Sequence, residues 1–180
     1  MFITFEGGDG AGKTTQIELL KAALEKEGRS VVVTREPGGN AMAEKIRELL
    51  LDRASVMEDM TEAYLYAAAR AEHVRAVILP ALARGQVVLC DRFIDSSVAY
   101  QGYGRQIGAE RVEALNREAV DGCMPERTYL LTLSEQDAAQ RVKNRGEVDR
   151  IESAGEAFAR RVQEGFLRIA AEHPERVVVI

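Results

Sequence analysis

Only two cysteines, Cys90 and Cys123, occur in the 180 residues, and neither stands near a second type of metal ligand at useful spacing. That excludes a disulfide framework and suits a reducing cytosol, so a cytoplasmic location is expected. No apolar run reaches the roughly 20 residues that a membrane-spanning helix needs. A strand pattern starts at Phe2, which leaves no room for a signal peptide. An excess of basic residues is missing too: the formal net charge is -5 and the pI is near 5.3. A nucleic-acid polymer is therefore not expected as the partner. Any anionic ligand has to be held by locally clustered cations rather than by the field of the whole molecule. Internal repeats and low-complexity segments are absent. With 46% hydrophobic and 29% charged residues the chain has the composition of an ordinary soluble globule, and its length predicts one domain over residues 1–180.

Short apolar, β-branched runs stand at Phe2 to Glu6, Ser30 to Thr34, Gln86 to Cys90, Thr128 to Leu133 and Arg176 to Ile180. Helical patterns separate them. Ile17, Leu20 and Leu24 form one apolar stripe that Gly28 stops, and further helices are expected near 43–51, 59–83, 110–120, 135–143 and 156–171. Pro80 should kink or break the 59–83 helix, because it lacks an N–H and its ring crowds the preceding turn. Strands alternating with helices predict parallel pairing with helices on both faces, an α/β architecture that binds ligands at the carboxyl ends of its strands. The chain stops at Ile180 within the fifth strand pattern, with no helix to cover it, so a C-terminal helix is expected to be missing from this sequence.

The most informative run is Gly7-Gly8-Asp9-Gly10-Ala11-Gly12-Lys13-Thr14-Thr15, directly after an apolar strand and directly before an amphipathic helix. Gly7, Gly12, Lys13 and Thr14 meet the pattern of a phosphate-binding loop, and both flanking elements are of the required type. The small residues let the backbone curl around an anion so that its N–H groups and the helix N-terminus face phosphate oxygens. Lys13 would reach the β- and γ-phosphates, and the Thr14 hydroxyl would ligate Mg²⁺. A glycine-rich turn that merely precedes a helix is the alternative, and it leaves the four matched positions unexplained.

Two further clusters emerge at strand ends, on the rim where the loop must lie. Asp91 and Arg92 follow Val87 to Cys90: the carboxylate is placed to hold Mg²⁺ and the guanidinium offers a planar fork to a second phosphate. A plain surface ion pair is the alternative there. Arg35-Glu36-Pro37-Gly38-Gly39 follows the second strand as a charged turn. Downstream, Arg141, Lys143, Arg145 and Arg150 sit in a polar stretch with Gly146. Cations on such a segment suit a lid of about 141–152 that closes on the charge of a phosphoryl transition state; a solvated helix face is the bland reading.

Taken in order, Phe5-Glu6-Gly7 with the loop, Arg35 to Gly39, Asp91-Arg92-Phe93 with Ser96-Ser97-Val98-Ala99-Tyr100-Gln101-Gly102, and Arg145-Gly146-Glu147-Val148-Asp149-Arg150 resemble the bacterial thymidylate kinase family over nearly the whole chain. The loop alone would indicate only the nucleotide-binding superfamily; the other segments are much narrower signals. The resemblance implies a three-layer α/β/α P-loop fold with a five-stranded parallel sheet and a nucleoside monophosphate kinase that moves the γ-phosphoryl of ATP to dTMP. It also implies Mg²⁺ and a homodimer. It further implies residue roles. Residues 7–15 bind ATP, with Thr14 and Asp91 at the metal. Asp9 takes the 3'-hydroxyl of the dTMP sugar, while Arg92 and Arg47 hold its phosphate with Glu36 beside them. Tyr66 stacks on thymine, and Arg70, four residues on and on the same helix face, bonds its carbonyl. Ser97 and Gln101 bond the base, and Tyr100 blocks a 2'-hydroxyl. Lys13, Arg92, Arg145 and Asp9 carry the transfer.

Some positions depart from the family pattern. Asn40-Ala41-Met42-Ala43 stands where Thr and then Gly are common, and Tyr66 stands where Phe is frequent. Gly10 replaces an arginine that eukaryotic members carry, so the catalytic charge is expected from Arg145. The family also continues into a loop near the adenine and a final helix. Rival readings remain at this point: another nucleoside kinase, a polyphosphate-using kinase (disfavoured by the short chain without tryptophan), or a nucleotide switch, for which no Asn-Lys-x-Asp element exists.

Overall fold

A computed structural model describes residues 1–132 and 149–180. The strands are β1 (Phe2–Glu6), β2 (Val31–Arg35), β3 (Val87–Asp91), β4 (Arg127–Leu130) and β5 (Val177–Val179). All pair in parallel, in the order β2-β3-β1-β4-β5. The helices are α1 (Lys13–Lys26), α2 (Ala41–Leu51), α3 (Asp59–His73), α4 (Leu79–Ala83), α5 (Ile94–Ser97), α6 (Ala109–Val120) and α7 (Glu156–Glu172). The helix expected over 135–143 and most of the expected lid lie outside the described residues.

Because side chains alternate along a strand, each strand feeds two cores. Ile3, Phe5, Val87 and Leu89 face α1 and pack on Ile17. Phe2, Val88 and Cys90 face the other way, against Val74, Ile78 and Phe93. Leu130 and Val177 continue that second face onto Phe158, Val162, Phe166 and Ile169 of α7. Central strands apolar on both faces read as continuous hydrophobic runs, which is why β1 and β3 stood out in the sequence. Thr4 and Glu6 interrupt the second face with buried polar groups.

Pro80 acts one turn earlier than its position alone suggests. The chain stays helical through it, but Val74–Ile78 is a π-helical turn, and the Leu79 N–H donates to Val74 O. Widening the turn to i→i+5 bonding makes room for a ring that would otherwise crowd the carbonyl below it, and Pro80 then falls in the first turn of α4, where its missing N–H costs nothing. Strand and helix limits differ from expectation by one to three residues. α2 starts two residues earlier than expected, at Ala41, because the Asn40 side chain accepts from the Ala43 N–H as an N-cap. The segment after β3 is helical, α5 followed by a second π-helical stretch at Val98–Gly104, and no 3.6-residue periodicity announces it.

β1 sends its connection to one edge of the sheet, while β3 sends its own past β1 to the other side. The crevice at their carboxyl ends is therefore the topological switch point, where a ligand belongs.

Candidate active site

The loop after β1 takes the strained path its composition allows. Gly7, Gly10 and Gly12 have φ of 128°, 76° and 95°. At Gly7 the approach is closest: a Cβ there would lie 2.2 Å from the Leu131 carbonyl oxygen. Lys13 folds back over the loop, its Nζ donating to Gly7 O at 3.2 Å and Gly8 O at 3.1 Å. It lies 3.9 Å from Asp91 Oδ1. Burial, then the charge of Arg92, pushes the Lys13 ammonium down to about 8 against the pull of Asp91, Asp9 and Glu6. An anion delivered here meets a cation that is already desolvated, so its field acts nearly unscreened.

Phe5 pairs with Asp91 across β1 and β3, so the Asp91–Arg92 turn rises beside the loop. Arg92 donates to Gly7 O at 2.9 Å and to Asp9 Oδ1 at 2.8 Å. Its guanidinium lies over the Tyr100 ring, 5.1 Å from the centroid. Burial pushes the Tyr100 hydroxyl up to about 12, with Arg92 opposing, so it stays protonated at neutral pH.

A cavity of about 550 Å³ opens above this rim. Asp9, Glu36, Arg47, Tyr66, Arg70 and Arg92 all line it, with Ser97, Tyr100 and Gln101 on the far wall. The expected loop residues Gly10, Gly12, Lys13, Thr14 and Thr15 line it as well, whereas Gly7, Gly8 and Ala11 do not. Arg145 lies outside the described residues.

The far wall is cross-linked more heavily than the sequence suggested. Arg70 is buried, and its Nε donates to Glu36 Oε2 at 2.7 Å. Its other nitrogens donate to Ser97 Oγ at 2.8 Å, to Phe93 O at 2.9 Å and to Asn116 Oδ1. With four of five N–H groups engaged, one remains for a ligand. The other oxygen of Glu36 accepts from His73 Nδ1 at 2.9 Å, and His73 Nε2 lies 2.7 Å from the Thr34 hydroxyl. Arg47 is turned toward the turn after β2, donating to Pro37 O at 2.8 Å.

A second buried hub is Glu62, which accepts from Gln101 Nε2 at 2.9 Å and from Arg105 Nη2 at 2.9 Å. Arg150 completes an ion pair with it at 2.7 Å and donates through Nε to Leu50 O. Desolvation works against the Glu62 charge, but the Arg105 and Gln101 hydrogen bonds overcome it and hold the carboxyl below its ordinary range. Arg150, grouped in the sequence with the lid cations, is thereby tied to α3 instead of lining the cavity. Glu62, His73, Asn116 and Arg105 escaped sequence reasoning because each bonds a residue far away in the chain. The spacing of Glu62 four residues before Tyr66 and eight before Arg70, on one helix face, is the signal that could have flagged one of them.

A family model described as thymidylate kinase matches residues 5–180. The chain belongs to the thymidylate kinase family. A thymidylate kinase of Exiguobacterium sibiricum is 50% identical over 180 residues, covering 99% of this chain and 85% of that protein. One from Deinococcus radiodurans is 47% identical over 100% of this chain and 87% of its own length. The crystal structure of thymidylate kinase from Ehrlichia chaffeensis superposes with a TM-score of 0.81 at 38% identity, covering 100% of this chain and 89% of that one. As a thymidylate kinase the chain is a nucleoside monophosphate kinase that phosphorylates dTMP to dTDP. The remaining rivals, a polyphosphate-using kinase and a nucleotide switch, fall away with that membership.

Proposed function

We propose that the γ-phosphoryl of ATP passes directly to the dTMP phosphate beside Lys13 and Arg92, two cations that meet at the Gly7 carbonyl on the rim of the cavity. The observation that carries this reading is that a phosphate-binding loop and a forked guanidinium rise from adjacent strands over one cavity. No protein nucleophile is needed, since positioning and charge stabilisation suffice for a transfer of this kind. Residues 7–15 cradle the donor phosphates. Asp9 takes the acceptor's 3'-hydroxyl, and Arg92 and Arg47 hold its phosphate near Glu36. Tyr66 stacks on thymine, the remaining Arg70 N–H with Ser97 and Gln101 reads the base edge, and Tyr100 excludes a 2'-hydroxyl. Arg145, in the lid, supplies the charge that neutral Gly10 does not.

The donor set suits Mg²⁺. Asp91 Oδ1 is buried and finds no hydrogen-bond partner among the described residues. Among the described residues no group of three acidic, histidine or cysteine side chains gathers. That pattern fits an ion held by one or two protein oxygens, here Asp91 and Thr14, together with substrate phosphates and water. Held by Asp91 and Thr14, Mg²⁺ would supply positive charge to offset that of the donor phosphates.

A homodimer is part of the proposal, supported by Leu49 on α2 and Tyr64 on the neighbouring α3, both more than half exposed. A cytoplasmic location is supported by two free, buried cysteines. No described helix is long and apolar enough to cross a membrane. Residues 1–180 are taken as one kinase domain.

A coupled ADP-release assay with a panel of nucleoside monophosphates tests the reading. Turnover with dTMP is expected to exceed that with dCMP, dGMP and AMP, and to vanish with EDTA. ADP release that proceeds equally without any monophosphate would overturn it. Sedimentation velocity tests the dimer, for which a single monomer boundary is the contrary result.

A further inference from the structure

Glu6, the last residue of β1, is completely buried and has no contact with the cavity. Its two carboxylate oxygens nevertheless both point at the turn that carries Arg92. That turn is under backbone strain: after the Arg92 N–H donates to Phe5 O at 2.9 Å, Arg92 itself takes φ 65°, a left-handed conformation that a side chain with a Cβ rarely adopts. The reversal leaves the Phe93 N–H facing the buried end of β1, and Glu6 Oε1 accepts it at 2.8 Å. Glu6 Oε2 accepts from the Ser96 hydroxyl at 2.5 Å, and Ser96 Oγ in turn accepts from Arg92 Nη1 at 3.2 Å. One carboxylate thus grips the strained turn at its backbone and the guanidinium through a single hydroxyl.

We propose that Glu6 is a positioning residue for the acceptor phosphate: it holds the Arg92 turn in its left-handed form and, through Ser96, aims the Arg92 guanidinium. The inference rests on the reading that Arg92 holds that phosphate.

The carboxylate form of Glu6 serves both contacts, and with Glu6 at about 7 that form becomes more populated as pH rises through neutrality. Two donors converge on Glu6, and a carboxylate accepts at both oxygens, whereas a glutamine would turn an N–H toward one of them. Desolvation and the neighbouring Asp95 raise Glu6 to about 7, opposed by Ser96, Arg92 and Phe93. Asp95 is itself held by Arg176, at 2.6 and 2.8 Å. A position that only filled space would be met more cheaply by an apolar residue.

Calorimetric affinities of dTMP and of thymidine, which lacks the phosphate, separate the roles. Glu6→Gln is expected to weaken dTMP at least about tenfold while thymidine stays within about twofold. A double variant, Glu6→Gln with Arg92→Met, should bind dTMP no more weakly than Arg92→Met alone, because both changes act on one contact. Equal loss for both ligands, unchanged dTMP binding, or additive losses in the double variant would overturn the inference. Arg92→Met that leaves dTMP affinity intact overturns the phosphate-holding reading and this inference with it. Arg92→Met that weakens dTMP while Glu6→Gln does not overturns the inference alone. If Glu6→Gln does not fold, Ser96→Ala reports on the same link: weaker dTMP with unchanged thymidine supports the inference, and equal affinities overturn it.

Discussion

Among the residues, Lys13 combines burial with a proposed contact to the transferred phosphoryl group. It is 7% exposed and held by the carbonyls of its own loop, so removing it takes away a desolvated charge without opening the fold. Lys13→Met is expected to lower kcat by at least about a hundredfold in the coupled ADP-release assay, with an unchanged circular dichroism spectrum. Glu6 makes a different prediction, on stability. Its ordinary value is 4.5 and its folded value about 7, so between them the folded state binds the proton more often than the unfolded state does. Stability contributed by this group therefore falls as pH rises from about 4.5 to about 7. Urea midpoints at pH 5 and pH 7.5 should differ less in Glu6→Gln than in wild type, and equal slopes would contradict the assignment. At this scale the sequence was legible where residues act in runs: Lys13, Thr14, Asp91 and Arg92 are marked by local spacing. Arg70 was legible only by its helical offset from Tyr66. Its partners Asn116 and Phe93 were not, because hydrogen bonds spanning 46 and 23 residues leave no periodic trace.

Among the elements, α7 and the π-helical stretch Val98–Gly104 form the most consequential contact. Gly104 approaches Phe158 and Val162, and Gly165 of α7 approaches Tyr103, so close that added Cβ atoms would lie 2.6 and 2.7 Å from their nearest neighbours. At Gly165 two effects compete. Alanine gains about 1 kcal/mol of helix propensity, but one colliding atom is the Tyr103 Cβ itself at 2.9 Å, which cannot move without its backbone. Overpacking of this kind costs roughly 1–3 kcal/mol, so Gly165→Ala should be net destabilising in urea unfolding. A higher midpoint would contradict the packing argument. The same contact steadies the wall that carries Tyr100 and Gln101, so the variant should also raise the KM for dTMP. The apolar stripe of α7, Phe158, Val162, Phe166 and Ile169, could be read from spacing and lies buried. The π-helical stretches could not, since their i→i+5 bonding breaks the period on which such reading depends.

For the whole molecule, a net charge of -5 contrasts with a cavity where Lys13, Arg35, Arg47, Arg70 and Arg92 outnumber the four carboxylates Asp9, Glu36, Asp91 and Asp149. Attraction of two anionic nucleotides is thus local, and it ties binding to folding, because those cations are gathered from α1, β2, α2, α3 and the turn after β3. dTMP at about a hundredfold excess over its Kd should add about 2.7 kcal/mol of stability, a rise in Tm of roughly 5–10 °C for a chain of this size. Differential scanning fluorimetry measures this, and a shift with dTMP no larger than with AMP would contradict the acceptor reading.

The sequence by itself determined the parallel α/β scaffold, the phosphate-binding loop and the strand-end charges. Each depends on residues adjacent in the chain, where backbone geometry converts spacing directly into position. Only the tertiary structure decided which polar groups hold one another: Glu6 on the Arg92 turn, Glu36 between Arg70 and His73, and Glu62 among Gln101, Arg105 and Arg150. A buried carboxylate needs donors to offset its desolvation. In this fold those donors arrive from separate elements, on a scale of distance along the chain that no local pattern records.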